Sequence, residues 1–308
     1  MQGESLKELK EISQLLSKNG LTPDTNLEEI FSPSLKSLVL PCHDKENRAL
    51  VIKILLSEDP AWRQKFFTEL QFHKALGRRA QFFIPKTIKT HPRGPLPFIL
   101  FEKIDGSPLS STRISRGAKP EWAPRLADLL KKIQNISPKN LNLPRYDGDF
   151  LIKKVQNYRE DPPVPRDLFR EALSQLEDSR EKLNNACQVL VHGDFMLQNI
   201  IETDSQLFVV DWEFVGIGNK AYDAATLWLT TLRLPSWRKM FLQNLLEQTK
   251  EPEVFKRLFI LNLLRLYLRE IKMWGKVPKR REATLIQRAC EKELRLALSG
   301  FDSLFGGG

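Results

Sequence analysis

The stretch VLVHGDFMLQNIIETDSQLFVVDWEFVGIG, residues 189–218, contains two polar loops, each of which follows an apolar segment. Asp194 lies on the turn after the apolar residues QVLV, and Asn199 follows five residues later. The second apolar segment, QLFVV, ends directly before Asp211, and Glu213 stands two positions further on. Together these side chains offer a proton acceptor, an amide oxygen and two carboxylates, and Mg²⁺ prefers such oxygen ligands. The pattern predicts a phosphoryl-transfer site, because that reaction depends on holding a hydroxyl, Mg²⁺ and nucleotide phosphates in line.

Five polar residues of this stretch have predicted roles. Asp194 is expected to accept the proton of the substrate hydroxyl or to orient that hydroxyl. Asn199 and Asp211 are expected to bind Mg²⁺, with Glu213 assisting at the metal. His192 is expected to brace the loop by hydrogen bonding rather than to perform chemistry.

The segments HGDFMLQN at 192–199 and DWE at 211–213 resemble motifs of the aminoglycoside phosphotransferase and choline kinase family. Downstream, AYDAATLWL at 221–229 is similar to the family's helix start, in which Asp223 would tie the helix to the catalytic loop. The ordered set is specific, whereas either short motif alone occurs by chance in many chains. The resemblance implies an ATP- and Mg²⁺-dependent kinase with an α+β, protein-kinase-like two-lobed fold. Its small N-terminal lobe would be mostly β with one αC-like helix, and its larger C-terminal lobe mostly α.

A charged residue in an apolar strand marks the second half of the site. The segment ALVIKILL at 49–56 predicts a strand with Lys53 in its middle, and a lone charge in such a strand needs a partner. Glu69 is the expected partner, in a helix that begins at Asp59 and Pro60 as cap and first residue. The resemblance implies that Lys53 holds the α and β phosphates and that Glu69 is its ion-pair partner.

The adenine and phosphate contacts follow from the resemblance alone. PFILFEKIDGSPL at 97–109 is similar to the last strand and hinge of the small lobe, which implies that backbone groups of Glu102 and Ile104 bind adenine. The hairpin that would cover the nucleotide corresponds to IFSPSLKSLVL at 30–40, which lacks the glycines of protein kinases. Related small-molecule kinases use a serine-containing loop, which implies phosphate contacts for Ser32 and Ser34.

The motif spacing favours a small-molecule acceptor over a protein substrate. Eleven residues separate Asp211 from Asp223, and no A-P-E sequence follows, so a conventional activation segment has no room. The sequence does not identify the molecule that carries the acceptor hydroxyl, which is a sugar, an amino sugar, an aminoglycoside-like compound or an amino alcohol. The alternative function is that of a choline/ethanolamine-type kinase. Trp228, Trp237 and Trp274 either line an aromatic cage for a quaternary amine or belong to the core.

Length and composition predict two lobes. The chain has 308 residues, of which 41% are hydrophobic, and we expect an N-terminal lobe at 1–105 and a helical C-terminal lobe at 106–308. An amphipathic helix is expected between Ser5 and Gly20. The pattern of the second lobe predicts helices near 121–136, 149–160, 166–186, 219–232, 236–249, 252–274 and 281–298, interrupted by two short strands.

Charge and hydropathy restrict the other classes of function. No apolar run reaches the ~18 residues of a membrane span, so we expect a soluble, cytoplasmic protein. The net charge of +10 suits an anionic partner, but the basic residues are scattered, which argues against specific nucleic-acid binding. The basic segment 276–281 is the candidate for a weak contact with an anionic surface. Two rivals remain: a pseudokinase that acts as a binding or scaffold protein, supported by the glycine-free loop, and a nucleic-acid-binding protein, supported by charge alone.

Overall fold

The structure is a computed structural model, which describes residues 2–32, 34–76, 82–139, 141–277 and 281–306. The backbone divides into two compact units. One comprises Met1–Ser107 and Ile201–Phe214, and the other comprises Pro108–Ile200 and Val215–Gly308. The first contains an antiparallel sheet and the second is mainly helical, which confirms the predicted α+β class.

The first unit is built on a five-stranded antiparallel sheet. Its elements are α1 (Gln2–Lys18), β1 (Thr22–Pro23), α2 (Leu27–Ile30), β2 (Ser37–His43), β3 (Ala49–Leu55), α3 (Pro60–Leu76), β4 (Thr87–His91) and β5 (Phe98–Glu102). The strand order is β1-β2-β3-β5-β4. Because side chains alternate between the faces of a strand, Leu38, Leu40 and Cys42 of β2 share one buried face. Ile12 and Leu16 of α1 belong to the same core cluster, which gives the expected N-terminal helix its packing partner.

The helix that carries Glu69 begins where the sequence predicts. The carboxylate of Asp59 accepts hydrogen bonds from the backbone N–H groups of Ala61, at 2.8 Å, and Trp62, at 3.2 Å. These bonds satisfy amide groups that have no partner within the first turn of α3. The cap therefore fixes the start of the helix at Pro60.

The rest of the chain is mostly helical. It contains β6 (Ser107–Pro108), α4 (Trp122–Gln134), α5 (Gly148–Gln156), α6 (Arg166–Asp178), α7 (Arg180–Ala186), β7 (Val189–Val191), a 3₁₀ turn (Leu197–Asn199), β8 (Ile200–Glu202), β9 (Leu207–Val209), β10 (Gly216–Gly218), α8 (Tyr222–Thr230), α9 (Pro235–Glu247), α10 (Pro252–Gly275), α11 (Arg281–Leu298) and α12 (Phe301–Gly306). Among the described residues, no helix is long and apolar enough to cross a membrane. The basic segment 276–281 is described only at Lys276, Val277 and Arg281, so the expected surface contact lies mostly outside the described residues.

Two expectations for this part differ from the structure. The helix predicted over 166–186 is two helices, because Ser179 leaves the helical conformation at φ −102°, ψ 8° between α6 and α7. The hydroxyl of Ser179 accepts a hydrogen bond from Arg257 of α10 at 3.2 Å, a long-range contact that local periodicity does not reveal. The two predicted short strands are four, since β8 and β10 accompany β9 and β7.

The segment 201–214 groups with the first unit, although the predicted boundary placed all of 106–308 in the second lobe. The N–H of Val209, at the end of β9, donates to the carbonyl of Phe83 at 2.8 Å. This hydrogen bond joins residues that are distant in sequence, so a lobe boundary predicted from the local sequence pattern does not take it into account. The acids that follow β9 therefore lie in the same unit as Lys53 and Glu69.

A close backbone approach sets the position of β7, the strand before the catalytic loop. Strand β10 pairs with β7 in antiparallel register, with Gly216 opposite Val191 and Gly218 opposite Val189. A Cβ atom at Gly216 would lie 2.6 Å from the ring of Tyr146, so only glycine fits there. The short pair of strands ends directly before His192.

Candidate active site

The predicted catalytic loop of the second unit, residues 192–199, is closed by the side chain of Asn199. Its Nδ2 atom donates to the backbone oxygen of Asp194 at 2.9 Å and to the carboxylate of Asp194 at 3.2 Å. The backbone N–H of Asp194 in turn donates to Nδ1 of the buried His192 at 3.3 Å. These bonds orient the Asp194 carboxylate, and they use the amide nitrogen of Asn199 rather than its amide oxygen.

A buried carboxylate ties this loop to helix α8. Asp223, in the first turn of α8, accepts hydrogen bonds from the backbone N–H of His192 at 2.8 Å and of Gly193 at 2.9 Å. Burial raises the pKa of Asp223, and His192 and the two amide donors oppose that shift. Gly193 adopts φ 83°, a backbone conformation that favours glycine. The turn can therefore point two successive amides at one carboxylate.

In the first unit, Lys53 lies at the centre of a carboxylate cluster. Its ammonium nitrogen is 2.6 Å from Glu69 Oε2, 2.6 Å from Asp211 Oδ1 and 3.5 Å from Glu213 Oε2. Burial by itself would lower the pKa of Lys53, but the charges of Glu69 and Asp211 reverse the shift, and the pKa lies above its usual range. Lys53 is therefore charged throughout the physiological pH range.

The acids of this cluster differ in exposure. Glu69 is 1% exposed, and burial raises its pKa against the opposing charge of Lys53. Burial is also the main reason that the pKa of Glu213 is raised, with the Asp211 charge second. The Asp211 side chain is 44% exposed, which makes it the most accessible acid of the three.

Trp212 anchors the two acids that flank it. Its ring is fully buried and stacks on Phe72 of α3 at a centroid distance of 4.7 Å. Its indole N–H donates to the carbonyl of Val209 at 2.9 Å, and its backbone N–H donates to Glu69 Oε1 at 3.1 Å. Asp211 adopts φ 63°, an uncommon backbone conformation outside glycine that is enriched at functional sites. The sequence predicted Asp211 and Glu213 as site residues. It did not predict the anchoring role of Trp212, because that role depends on contacts with α3.

The cluster has the donor set of a hard cation site. One oxygen from each of Glu69, Asp211 and Glu213 lies within 4.8 Å of the others. Carboxylate oxygens at such spacing suit Mg²⁺ or Ca²⁺, and the residues present therefore fit a divalent metal. Asn199, the remaining predicted ligand, belongs to the other unit.

The predicted nucleotide contacts Ser34, Glu102 and Ile104 lie in two parts of the first unit. Ser34 lies in the glycine-free connection between β1 and β2, where its hydroxyl is 2.9 Å from that of Ser32. Glu102 ends β5, and its N–H donates to the carbonyl of Lys86 at 2.9 Å. Ile104 follows in the irregular segment after β5.

The three tryptophans considered for an acceptor cage have other contacts. Trp228 is 1% exposed, and its N–H lies 3.1 Å from the Tyr267 hydroxyl. The guanidinium of Arg238 covers the Trp228 ring at 4.3 Å from the centroid, so the protein itself fills that face. Trp237 is buried, and the half-buried Trp274 donates to Glu270 at 3.1 Å. Trp228 and Trp237 are therefore core residues.

The sequence and the fold are similar to those of known proteins. The model of the phosphotransferase enzyme family matches residues 43–255. A protein LicA homolog from Mycoplasma capricolum subsp. capricolum is 23% identical over 144 residues, which cover 46% of this chain and 58% of that relative. The chain thus aligns with little more than half the length of this curated relative.

Two solved structures show the fold over nearly the whole chain. Amicoumacin kinase hAmiN, in complex with AMP-PNP, Ca²⁺ and Ami, matches with a TM-score of 0.59 and 14% identity over 94% of this chain and 95% of that chain. Choline kinase LicA from Streptococcus pneumoniae matches with a TM-score of 0.61 and 16% identity over 94% of this chain and 98% of that chain. The predicted kinase-like fold is therefore confirmed.

Proposed function

The chain belongs to the phosphotransferase enzyme family, and from that premise we propose that it transfers the γ-phosphate of ATP to a hydroxyl of a small molecule. The observation that carries the proposal is the buried ammonium of Lys53, with Glu69 and Asp211 both at 2.6 Å. A buried lysine held by one structural acid and one accessible acid is suited to bind phosphate oxygens next to a metal. We place this ATP-dependent reaction in the cytoplasm.

Asp211 and Glu213 would hold Mg²⁺, joined by the amide oxygen of Asn199. Bound Mg²⁺ neutralises the charge of the β and γ phosphates and polarises the group that is transferred. Lys53 contacts the same acids, so nucleotide binding must redistribute its bonds. We expect Lys53 to keep its bond to the buried Glu69 and to exchange Asp211, the most exposed partner, for phosphate oxygens.

Asp194 would accept the proton of the acceptor hydroxyl. The Asn199 amide donates to one oxygen of this carboxylate, which orients it, and Asp223 holds the preceding backbone. A base that is oriented before the substrate arrives loses little freedom in the reaction, which favours a high rate. His192 supports this arrangement through Nδ1, which accepts the N–H of Asp194.

The nucleotide is expected to bind along the sheet of the first unit. We propose that the Glu102 carbonyl and the Ile104 N–H contact adenine and that the Ser34 hydroxyl contacts phosphate. Since the connection that contains Ser34 has no glycine, these contacts would involve side-chain hydroxyls more than closely approaching backbone amides. A pseudokinase would lack this nucleotide function while keeping the fold.

The acceptor is a small molecule with a free hydroxyl, such as a sugar, an amino sugar, an aminoglycoside-like compound or an amino alcohol. The likeness to the choline kinase LicA favours choline or ethanolamine phosphorylation as the second candidate.

Calorimetric titration of MgATP tests the proposal without knowledge of the acceptor. Wild type should bind ATP only when Mg²⁺ is present. Asp211→Asn should bind MgATP at least about tenfold more weakly, because one anionic ligand of the metal is lost. Asp194→Ala should keep MgATP affinity and lose turnover of any acceptor found by ADP release. If wild type does not bind MgATP, the result favours a pseudokinase over an enzyme. If Asp194→Ala keeps full turnover, Asp194 is not the catalytic base.

A further inference from the structure

A cavity of about 520 Å³ lies against helix α6 in the second unit. One wall comes from the connection between α5 and α6 and the other from α6, and the lining residues are Arg159, Pro162, Arg166, Phe169, Arg170, Leu173, Ser174 and Glu177. The six residues from α6 recur at intervals of three and four positions, so they share one face of the helix. Sites for small molecules commonly have volumes of about 300–1,000 Å³. None of the lining residues has a role in the proposed phosphotransfer, which therefore does not account for this cavity.

The lining carries an excess of positive charge. It contains three arginines and one glutamate, which leaves two positive charges without a negative one. Glu177 is already engaged, because its Oε1 accepts hydrogen bonds from Arg159 at 3.1 Å and from Nε2 of Gln156 at 3.0 Å. Among the described residues no carboxylate lies within 4.0 Å of the guanidinium nitrogens of Arg166 or Arg170. The two uncompensated charges of the cavity are therefore those of Arg166 and Arg170.

The acids that are close to the cavity in the sequence do not supply the missing charge. Asp161 pairs with Lys272 of α10, and Asp178 accepts a hydrogen bond from the Ser174 hydroxyl at 3.3 Å. Three more neighbouring acids do not belong to the lining: Glu160, Asp167 and Glu171. Like charges one helical turn apart destabilise a helix, and an anion bound to both would remove that repulsion.

The cavity combines accessible charges with an apolar floor. The side chains of Arg159, Arg166 and Arg170 are exposed, so a ligand can reach them from solvent. The floor consists of the half-buried Pro162 and of Phe169 and Leu173, which are 4% and 6% exposed. An apolar group bound on this floor would cover hydrocarbon surface, whereas an inorganic ion would leave it in water. The cavity thus suits a ligand with both an anionic group and an apolar group.

We propose that this cavity is a second ligand site, which binds a small organic anion with an apolar body of about one ring. Its carboxylate or phosphate group contacts the guanidinium groups of Arg166 and Arg170, since the planar fork of arginine matches both kinds of anion. The apolar body lies on Phe169 and Leu173. The site is distinct from the nucleotide and acceptor sites, and its ligand is not consumed by the proposed reaction.

Calorimetric titration of the full chain without nucleotide tests the proposal. The probes are benzoate and phenyl phosphate, with inorganic phosphate as the anion without a ring and benzyl alcohol as the ring without a charge. The variants are the double substitution Arg166→Gln/Arg170→Gln and the single substitution Ser174→Glu, which places a negative charge at the exposed side of the cavity. The matched control is Arg180→Gln/Arg288→Gln, which removes two exposed positive charges of the same unit outside the lining.

We expect wild type and the control to bind benzoate and phenyl phosphate with equal affinity, and the tighter probe identifies the preferred anionic group. The double variant should bind both probes at least about tenfold more weakly, because charge-assisted hydrogen bonds are lost. Ser174→Glu should weaken binding in the same direction, and it replaces the double variant if the latter does not fold. The proposal is wrong if wild type binds neither probe or if the variants keep wild-type affinity. Binding of benzyl alcohol or inorganic phosphate as tightly as the two organic anions would also overturn it.

Discussion

Replacing Lys53 by methionine should destabilise the first unit strongly, because three carboxylates would lose their common counter-charge. Lys53 is 5% exposed and Glu69 is 1% exposed, and their charged atoms are 2.6 Å apart. Breaking a buried ion pair by removing one partner costs about 3–5 kcal/mol. Asp211 adds less, because its side chain is 44% exposed and the solvent screens it. We therefore expect Lys53→Met to lower the free energy of unfolding by about 3–5 kcal/mol near pH 8.

The loss of stability in Lys53→Met should be smaller at lower pH. Burial already raises the pKa of Glu69, and removal of Lys53 would raise it further. A carboxyl group whose pKa is higher in the folded than in the unfolded protein destabilises the fold as the pH rises through the folded pKa. This penalty is absent at a pH at which the carboxyl group is protonated in both states. Wild type gains the full contribution of Lys53 at any pH below the usual lysine value of about 10.4. The difference between the proteins should therefore fall by about 1 kcal/mol or more between about pH 8 and about pH 5.5.

Urea unfolding followed by circular dichroism measures both quantities. Lys103→Met is the matched control in the same unit, since Lys103 pairs with Asp24 at 3.2 Å and its side chain is 38% exposed. We expect the control to lose no more than about 1 kcal/mol at either pH. A Lys53→Met protein that unfolds within about 1 kcal/mol of wild type near pH 8, or that loses more stability near pH 5.5, would refute the assigned electrostatics.

Three further substitutions test the second unit. Asp223→Asn should lower the free energy of unfolding by about 2–4 kcal/mol and speed hydrogen exchange of the His192 and Gly193 amides; unchanged exchange of both would contradict the anchoring role. Gly193→Ala should cost about 1–2 kcal/mol in urea unfolding, because φ is 83° there, and a neutral result would show that the turn relaxes. Glu293→Gln should lower stability by about 3–5 kcal/mol, since it leaves the buried Arg238 without its partner, and a raised melting temperature would contradict this.

The sequence contained enough information for the fold class and for the pairing of Lys53 with Glu69. A single charge in an apolar strand has to be neutralised, and the only nearby acid on a well-capped helix is the one that the structure places at 2.6 Å. That Asp194 and Asn199 share one loop could be predicted as well, because they are close in the chain, and the structure shows them hydrogen-bonded. Such features depend on neighbouring residues or on one strong electrostatic requirement.

Other features depend on contacts between distant segments. The bond from Lys53 to Asp211 joins residues 158 positions apart, so no local pattern predicts it. The break at Ser179 and the sheet bond that uses the Glu102 N–H likewise depend on partners elsewhere in the chain. The burial of Arg265 in α10 could not be predicted either, since a basic residue ordinarily faces solvent, and only the structure shows it buried.

The membership of residues 201–214 in the first unit has a practical consequence for dissecting the protein. A fragment that ends at Ser107 would contain Lys53 and Glu69 but neither Asp211 nor Glu213, and would leave the buried ammonium with one of its three acids. The complementary fragment would carry Asp211 and Glu213 after β9, which would have lost its bond to the Phe83 carbonyl. Limited proteolysis or truncation therefore cannot yield a nucleotide-binding piece with one cut, and an isolated first unit would need residues 201–214 supplied through an engineered linker.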